Sequence, residues 1–570
     1  MRQTSTQNST AYSDNLRRQK NIKTGLLIAA TCLLLTVLIL MPLVMLFERT
    51  IFDNGQWVIN KTIETIMQPQ NIQTIFNTLK LSFAVVIGST LIALPLAFLL
   101  ARTHFAKYKW LDIILMIPFM TPPYISAMGW ILFTQRRGLF QQMFPATGSF
   151  SEGFMSFFGL AMVMSFHLFP FMLTILKNSL MNVPPNLEES AKIFGGNFWY
   201  RLRKVTFPLV TGPYAVGALL VFIKTASEYG TPATIGRRIG FNVFVTEIHR
   251  NATVSPIDFG SAAALSSVLI LICILFWFLQ NYISVNRTYR LVSGKGMKQS
   301  FPRIKGKRRF FFTAYLILIL TISIGVPYFS VIVTSLINLR GLGMAAGNFT
   351  QMNYINLFTA NPRGIQALQN SIFLGLVSAT LTTVLGVLCA TIIHSVKSKA
   401  KNVINIIGLI PDMLPSIVFV IGIMIFWNRI FTIIPAYNTI WILVIAYTAL
   451  FLPFTVQSVS TSYAQISDSL VSAGKVFGGR PLYIFRRITL PLLLRGILAG
   501  WMMTFIIAFR ELVTASIIAP PNTLVVSTFI MREFEAGSVS IGMAMAVICV
   551  VFSTTFLIIV NRFLLKSKED

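Results

Sequence analysis

Twelve apolar runs of roughly 20 residues, spread along the whole chain, constrain this sequence more than any other feature. Six lie at 25–47, 79–101, 113–133, 154–176, 209–226 and 262–283, and six more at 310–336, 372–393, 403–427, 440–459, 492–509 and 541–560. A helix rises about 1.5 Å per residue, so about 20 residues cross the hydrocarbon of a bilayer while satisfying their own backbone hydrogen bonds. The runs are long and continuous and lack the short alternation of membrane strands. The sequence therefore predicts an all-α polytopic membrane protein of about twelve spans. Composition agrees: 55% of residues are hydrophobic, 11% are charged, and mean hydropathy is +0.71. That is more apolar surface than a water-soluble core could enclose.

A net charge of +29 raises the question of nucleic acid, but its placement answers it. With a cytoplasmic N-terminus, most of the 47 Lys and Arg fall in loops and tails on the cytoplasmic side, the positive-inside pattern. The partner implied is lipid, with no nucleic acid. The segments expected are a basic tail at 1–24, a first half of six spans at 25–286, a basic linker at 287–309, a second half at 310–561 and a tail at 562–570. The linker holds Lys305, Lys307, Arg308 and Arg309, a topology signal with attraction to anionic lipid. No small-residue cleavage site follows the first apolar run, so it reads as a retained span, with both termini cytoplasmic. Cys32, Cys273, Cys389 and Cys549 are scattered singly, as are His104, His167, His249 and His394. Neither set has metal-ligand spacing or builds a nucleophile with its base.

The two halves repeat. Asn77 aligns with Asn370, Pro118 with Pro411 and Pro122 with Pro415; further on, Phe194, Gly195, Gly196, Pro208 and Glu228 align with Phe477, Gly478, Gly479, Pro491 and Glu511. An even number of spans separates equivalent points, so the halves share one orientation. Such a parallel repeat predicts two pseudo-equivalent bundles about an axis along the membrane normal, with a pathway between them.

Between spans four and five, and again between ten and eleven, lies a segment on the basic side that is patterned rather than loose. In the first, Asn186 is a candidate helix cap with Glu189 three residues on, while Leu187, Ala191 and Phe194 share one helical face. Gly195 and Gly196 supply the stop, Arg201, Arg203 and Lys204 mark a second short helix, and Pro208 marks re-entry to the membrane. Two short helices bent at a glycine would form a knob on the membrane face.

This segment resembles the EAA loop of ATP-binding-cassette importer permeases: E-A-A, three residues, G, nine residues, then I-x-L-P. The first occurrence is Glu189, Ser190, Ala191, then Gly195, then Val205, Phe207 and Pro208. The second is Ser472, Ala473, Gly474, then Gly478, then Ile488, Leu490 and Pro491. Both spacings hold to the residue, and the fused two-half layout is similar to the iron(III)-type permeases, with 2-aminoethylphosphonate, thiamine and polyamine relatives less close. The resemblance implies a permease subunit in the bacterial inner membrane that receives substrate from an external binding protein. It implies two cytoplasmic ATPase subunits docked on the loops, which would bind the ATP and Mg; this chain carries no cofactor of its own and is not an enzyme. Its string SAGKVF lacks the Gly before and the Ser or Thr after that a phosphate loop needs. Ser472 stands where the family usually has Glu, so coupling through the two loops is expected to be asymmetric, with Glu189 the more important. For Glu189 the alternative is a helix-capping carboxylate.

Glu228 and Glu511 recur near the ends of spans five and eleven. A carboxylate within a span costs about 2.5 to 3.5 kcal/mol on insertion scales, so it faces a cavity or a partner. Two readings stand. Either both line the pathway, as hard oxygen donors for a ferric or other cation, or Glu511 pairs with Arg510 and Glu228 with Lys224 as helix anchors. The paired prolines either shape the channel or set helix packing. The rival to an ATP-driven importer is an ion-coupled secondary transporter or channel, whose coupling would need intramembrane charges. Those are sparse here.

Overall fold

A computed structural model describes residues 25–53, 55–287, 306–396 and 398–566. The tail expected at 1–24, most of the linker and the last four residues lie outside the described residues. Lys307, Arg308 and Arg309, expected in the linker, instead form the exposed first turn of the seventh span.

Each predicted span has its helix. Ten are long and apolar enough to cross a membrane among the described residues: Gly25–Ile51, Pro69–Arg102, Phe157–Asn182, Phe198–Ser227, Phe259–Ile283, Gly306–Leu336, Pro362–Ser395, Ile440–Tyr463, Pro481–Phe509 and Val539–Phe556. The third and ninth spans, expected as single runs, are instead broken pairs. Lys109–Met120 meets Pro123–Met143 at 85°, and Ala400–Met413 meets Ser416–Arg429 at 112°. The cause is local. A proline disfavours helical geometry in the residue before it, and Thr121 before Pro122 and Leu414 before Pro415 are both extended. Pro118 and Pro411 lie inside the first limb of each pair without breaking it.

Four π turns, Thr36–Leu40, Leu202–Thr206, Thr321–Gly325 and Phe485–Thr489, each end two residues before a proline: Pro42, Pro208, Pro327 and Pro491. Proline lacks an N–H and its ring clashes with the carbonyl four residues back, and a turn one residue wider absorbs both. The helix continues through each. The only ladder strands among the described residues are the two-residue pair Phe52–Asp53 and Gln56–Trp57.

The first span of each half packs on the other half. Gly422, in the second limb of the ninth span, lies against Pro42 of the first span, and Gly129, in the second limb of the third, lies against Pro327 of the seventh. Small residues let membrane helices approach backbone to backbone, since lipid leaves dispersion and polar contacts as the main source of association. The Glu48–Arg429 ion pair at 2.9 Å and the Thr121–Tyr328 hydroxyl pair at 2.6 Å add polar links across the same two contacts.

A further duplicated device pins the helices between the last two spans of each half. Asn77 donates to the carbonyl of Asn242 and Asn370 to that of Leu524, both at 2.9 Å. The N–H of Phe244 donates to Thr78, and that of Val526 to Ser371, both at 2.8 Å. These bonds satisfy N-terminal amides of the helices Phe244–Thr253 and Val526–Ala536, which would otherwise be orphaned in the interior.

Candidate functional site

The two patterned segments form matching short helices, Pro185–Ile193 and Asp468–Val476, at equivalent points of the repeat. Each ends on a left-handed glycine: Gly195 has φ +82° and Gly478 has φ +78°. The next amide returns to the helix, Gly196 N–H to the Ala191 carbonyl at 2.8 Å and Gly479 N–H to that of Gly474 at 2.9 Å. This is the glycine C-cap read from the sequence. The predicted start differs. Pro184 occupies the cap position without a side-chain bond, and Asn186 lies inside the helix. In the second segment Ser467 caps, accepting from the N–H of Ser469 at 3.3 Å.

The expected second short helix is not separate. From Phe198 the chain runs as one helix into the fifth span, and from Pro481 as one helix into the eleventh. A π turn precedes Pro208 and another precedes Pro491, and the helix runs on through each. What projects is therefore a single short helix per half, with an apolar end. Ile193 and Phe194 are 82% and 88% exposed, and Val476 and Phe477 are 83% and 90% exposed.

Glu189 is exposed and, among the described residues, has neither hydrogen bond nor ion pair, so it does not cap its helix. Ser190, Ser472 and Ala473 are likewise exposed. The carboxylate that holds the helix is its neighbour Glu188. It pairs with Arg102, at the end of the second span, at 3.0 Å, and accepts from Thr206 of the fifth at 2.9 Å. Arg102 also reaches the carbonyl of Val183 at 3.4 Å. In the second half the equivalents of Arg102 and Glu188 are Ser395 and Val471. There the helix is seated by apolar contact: Gly474 and Gly479 lie against Ile484. The signal for this pair was present in the repeat, because both partners change together.

Glu228 and Glu511 do not pair with Lys224 and Arg510. Each stands just past the end of its span and caps the short segment that follows. Glu228 accepts from the N–H of Thr231 at 3.0 and 3.1 Å. Glu511 accepts from Thr514 at 2.9 Å and from Ala515 at 3.4 Å. A carboxylate at a helix start meets unpaired N–H groups and the positive end of the helix dipole. The structure also brings together groups that sequence spacing could not. Tyr124 sits beside Gly230, two residues from Glu228. Across the halves, His249 contacts Ser516 at 3.1 Å, and Arg237 approaches Glu535 at 3.9 Å.

Ten membrane-length helices among the described residues, or twelve with the two broken pairs, arranged as two homologous halves that each bear one short helix, define a fused two-half membrane permease. The chain belongs to the family of binding-protein-dependent transport system inner membrane components, whose profile matches residues 93–287 and again 382–569. It is 25% identical to the Fe(3+)-transport system permease protein FbpB 2 of Haemophilus influenzae, over 94% of this chain and 98% of that one. It is 23% identical to the ferric transport system permease protein FbpB of Actinobacillus pleuropneumoniae, over 91% of this chain and 75% of that one. A sulfate transport system permease, CysT of Escherichia coli, is 24% identical over 40% of this chain and 82% of its own length.

Proposed function

We propose that this chain is the complete transmembrane part of an ATP-driven importer for ferric iron. The observation that carries the reading is the pair of short glycine-ended helices at equivalent points of the repeat, each presenting an exposed apolar end. A cytoplasmic ATPase subunit would seat on each, binding ATP and Mg itself, and its closure would tilt the two halves. Both termini then lie in the cytoplasm, and an external binding protein delivers substrate to the opposite face. Ferric iron is favoured over the other substrates of the family because the relatives that span most of this chain carry that name. Glu228 and Glu511 would line the pathway where spans five and eleven stop. Glu228 lies beside Tyr124 of the third span, close to Gly230, which supports that role.

The test is ATP hydrolysis by the purified chain in lipid, alone and with its ATPase subunit and a ferric-loaded binding protein. Hydrolysis only in the assembled complex, stimulated by the loaded binding protein, is the expected result. Uptake that proceeds without any ATPase would favour an ion-coupled transporter instead.

A further inference from the structure

Where the first span of one half meets the broken span of the other, the surface opens into a cleft, and the repeat builds this cleft twice. The first, of about 820 Å³, is lined by Arg136, Arg137, Gln142 and Arg340 among others; the second, of about 570 Å³, by Glu48, Arg49, Gly55 and Arg429 among others. The seventh span starts at the basic turn 307–309 and ends at Leu336, so the loop with Arg340 lies at its far end. With both termini cytoplasmic, that end is external.

The two clefts differ in charge. By the offsets that align Gly129 with Gly422 and Pro327 with Pro42, Arg136 corresponds to Arg429, Arg340 to Gly55 and Val333 to Glu48. Arg429 is paired with Glu48 at 2.9 Å. The first cleft has valine in place of that glutamate, and three arginines line it with no carboxylate. Among the described residues none of the three makes an ion pair.

The first cleft is also held in shape. Arg137 sits in the left-handed region at φ +60°, which is unfavourable for a residue with a Cβ. Its N–H donates to Gln141 Oε1 at 2.8 Å, and its carbonyl accepts from Gln142 at 2.9 Å. Gln142 accepts in turn from the N–H of Met344 at 2.9 Å, and Arg340 donates to Gln135 at 3.3 Å. These bonds tie the two loops together and leave all three arginines exposed.

Membrane proteins use arginine sparingly in external loops, so three in one external cleft have a use other than topology. Exposed guanidinium groups pair with carboxylates through a fork of donors, and a cleft open to water admits a protein surface. We propose that the first cleft docks a carboxylate-bearing surface of the external binding protein, and that its counterpart does not. A partner with one acidic lobe then docks in only one of the two orientations that a pseudo-symmetric outer face would allow. This rests on the importer reading for the identity of the partner, but not on iron as the substrate.

The test measures docking of the ferric-loaded binding protein to the full chain, assembled with its ATPase subunits in lipid nanodiscs, by surface plasmon resonance. Arg136→Glu combined with Arg340→Glu should weaken docking by about tenfold or more, chiefly through slower association, and should flatten its salt dependence. Arg137→Gly removes a charge while keeping the left-handed turn, and should weaken docking by about threefold. Exchanging the pair in the second cleft, Glu48→Arg with Arg429→Glu, should change docking little. Thermal unfolding of the first-cleft variants should stay close to wild type, because the three side chains are exposed. In Arg136→Lys, a carbodiimide should join the lysine amine to a carboxylate of the binding protein. Equal docking by wild type and the first-cleft variants overturns the proposal and keeps the importer. No docking by wild type overturns both. Saturable citrate binding that Arg136→Gln abolishes, with docking unchanged, would assign the cleft to a small anion and overturn the protein partner. Docking of a binding protein loaded with another substrate, weakened by the same variants, would keep the cleft and remove iron.

Discussion

Gly422 lies so close to Pro42 that a Cβ built on it would fall 2.7 Å from the Pro42 carbonyl oxygen; Gly129 stands to Pro327 in the same way, at 2.6 Å. The two contacts are related by the repeat, and each clamps the first span of one half to the broken span of the other. The neighbouring atom is backbone, which cannot swing aside as a side chain can. A β-branched residue here should cost about 1 to 3 kcal/mol by overpacking. Gly129→Val and Gly422→Val should each lower the melting temperature of the purified chain, with the alanine variants intermediate. Gly153→Ala, where no atom lies within 4 Å of the added Cβ, is the control and should change little.

The Arg102–Glu188–Thr206 network predicts unequal seating of the two short helices. Glu188→Gln should loosen the first and lower transport-linked ATP hydrolysis in the assembled complex, while Val471→Ala should do less. Arg102 and Glu188 touch directly, so a double-mutant cycle should return a coupling of about 0.5 to 3 kcal/mol. An additive cycle would show that the ion pair does not hold the helix.

Glu189 and Ser472 occupy equivalent exposed positions, and only Glu189 carries a charge that a docked subunit can use. Glu189→Ala should therefore reduce coupled ATP hydrolysis several-fold, with Ser472→Ala closer to wild type, at unchanged melting temperature for the permease alone. Equal losses would contradict asymmetric coupling.

Asp258 precedes the sixth span. Partial burial would raise its carboxyl, but the N–H and hydroxyl of Ser261 and the N–H of Gly260 hold it below the usual carboxylate range. A depressed value means the folded state favours the ionised form. That stabilisation is present above the ordinary value of about 4 and is lost as pH falls through the lowered one. Thermal unfolding followed down to about pH 3 should show this loss in wild type and a shallower dependence in Asp258→Asn.

Much of the site was legible before any coordinates, because the halves could be read against each other. Equal spacing of Glu189 to Pro208 and Ser472 to Pro491 located both short helices, and the glycine stops were visible from backbone chemistry alone. Asn77 and Asn370 marked the repeat, and the structure supplies their shared role, a bond to a backbone carbonyl. Helix starts were harder to read. Asn186 has the composition of a cap, yet Pro184 and Pro185 already set the turn ahead of it. Pro208 was read as the point of re-entry after a separate short helix, but a wider turn lets one helix run continuously through it.

The sequence by itself determined the all-helical membrane fold, the repeat and the short helices, because each is written in local periodicity, turn residues and the length needed to cross lipid. Only the tertiary structure decided which carboxylate anchors the first short helix and that Glu228 and Glu511 cap helices rather than pair with the bases nearby. It also decided that His249 meets Ser516 and Thr121 meets Tyr328 across the two halves. Those contacts join residues hundreds of positions apart, and no local signal specifies which interior face of one helix will meet which face of another.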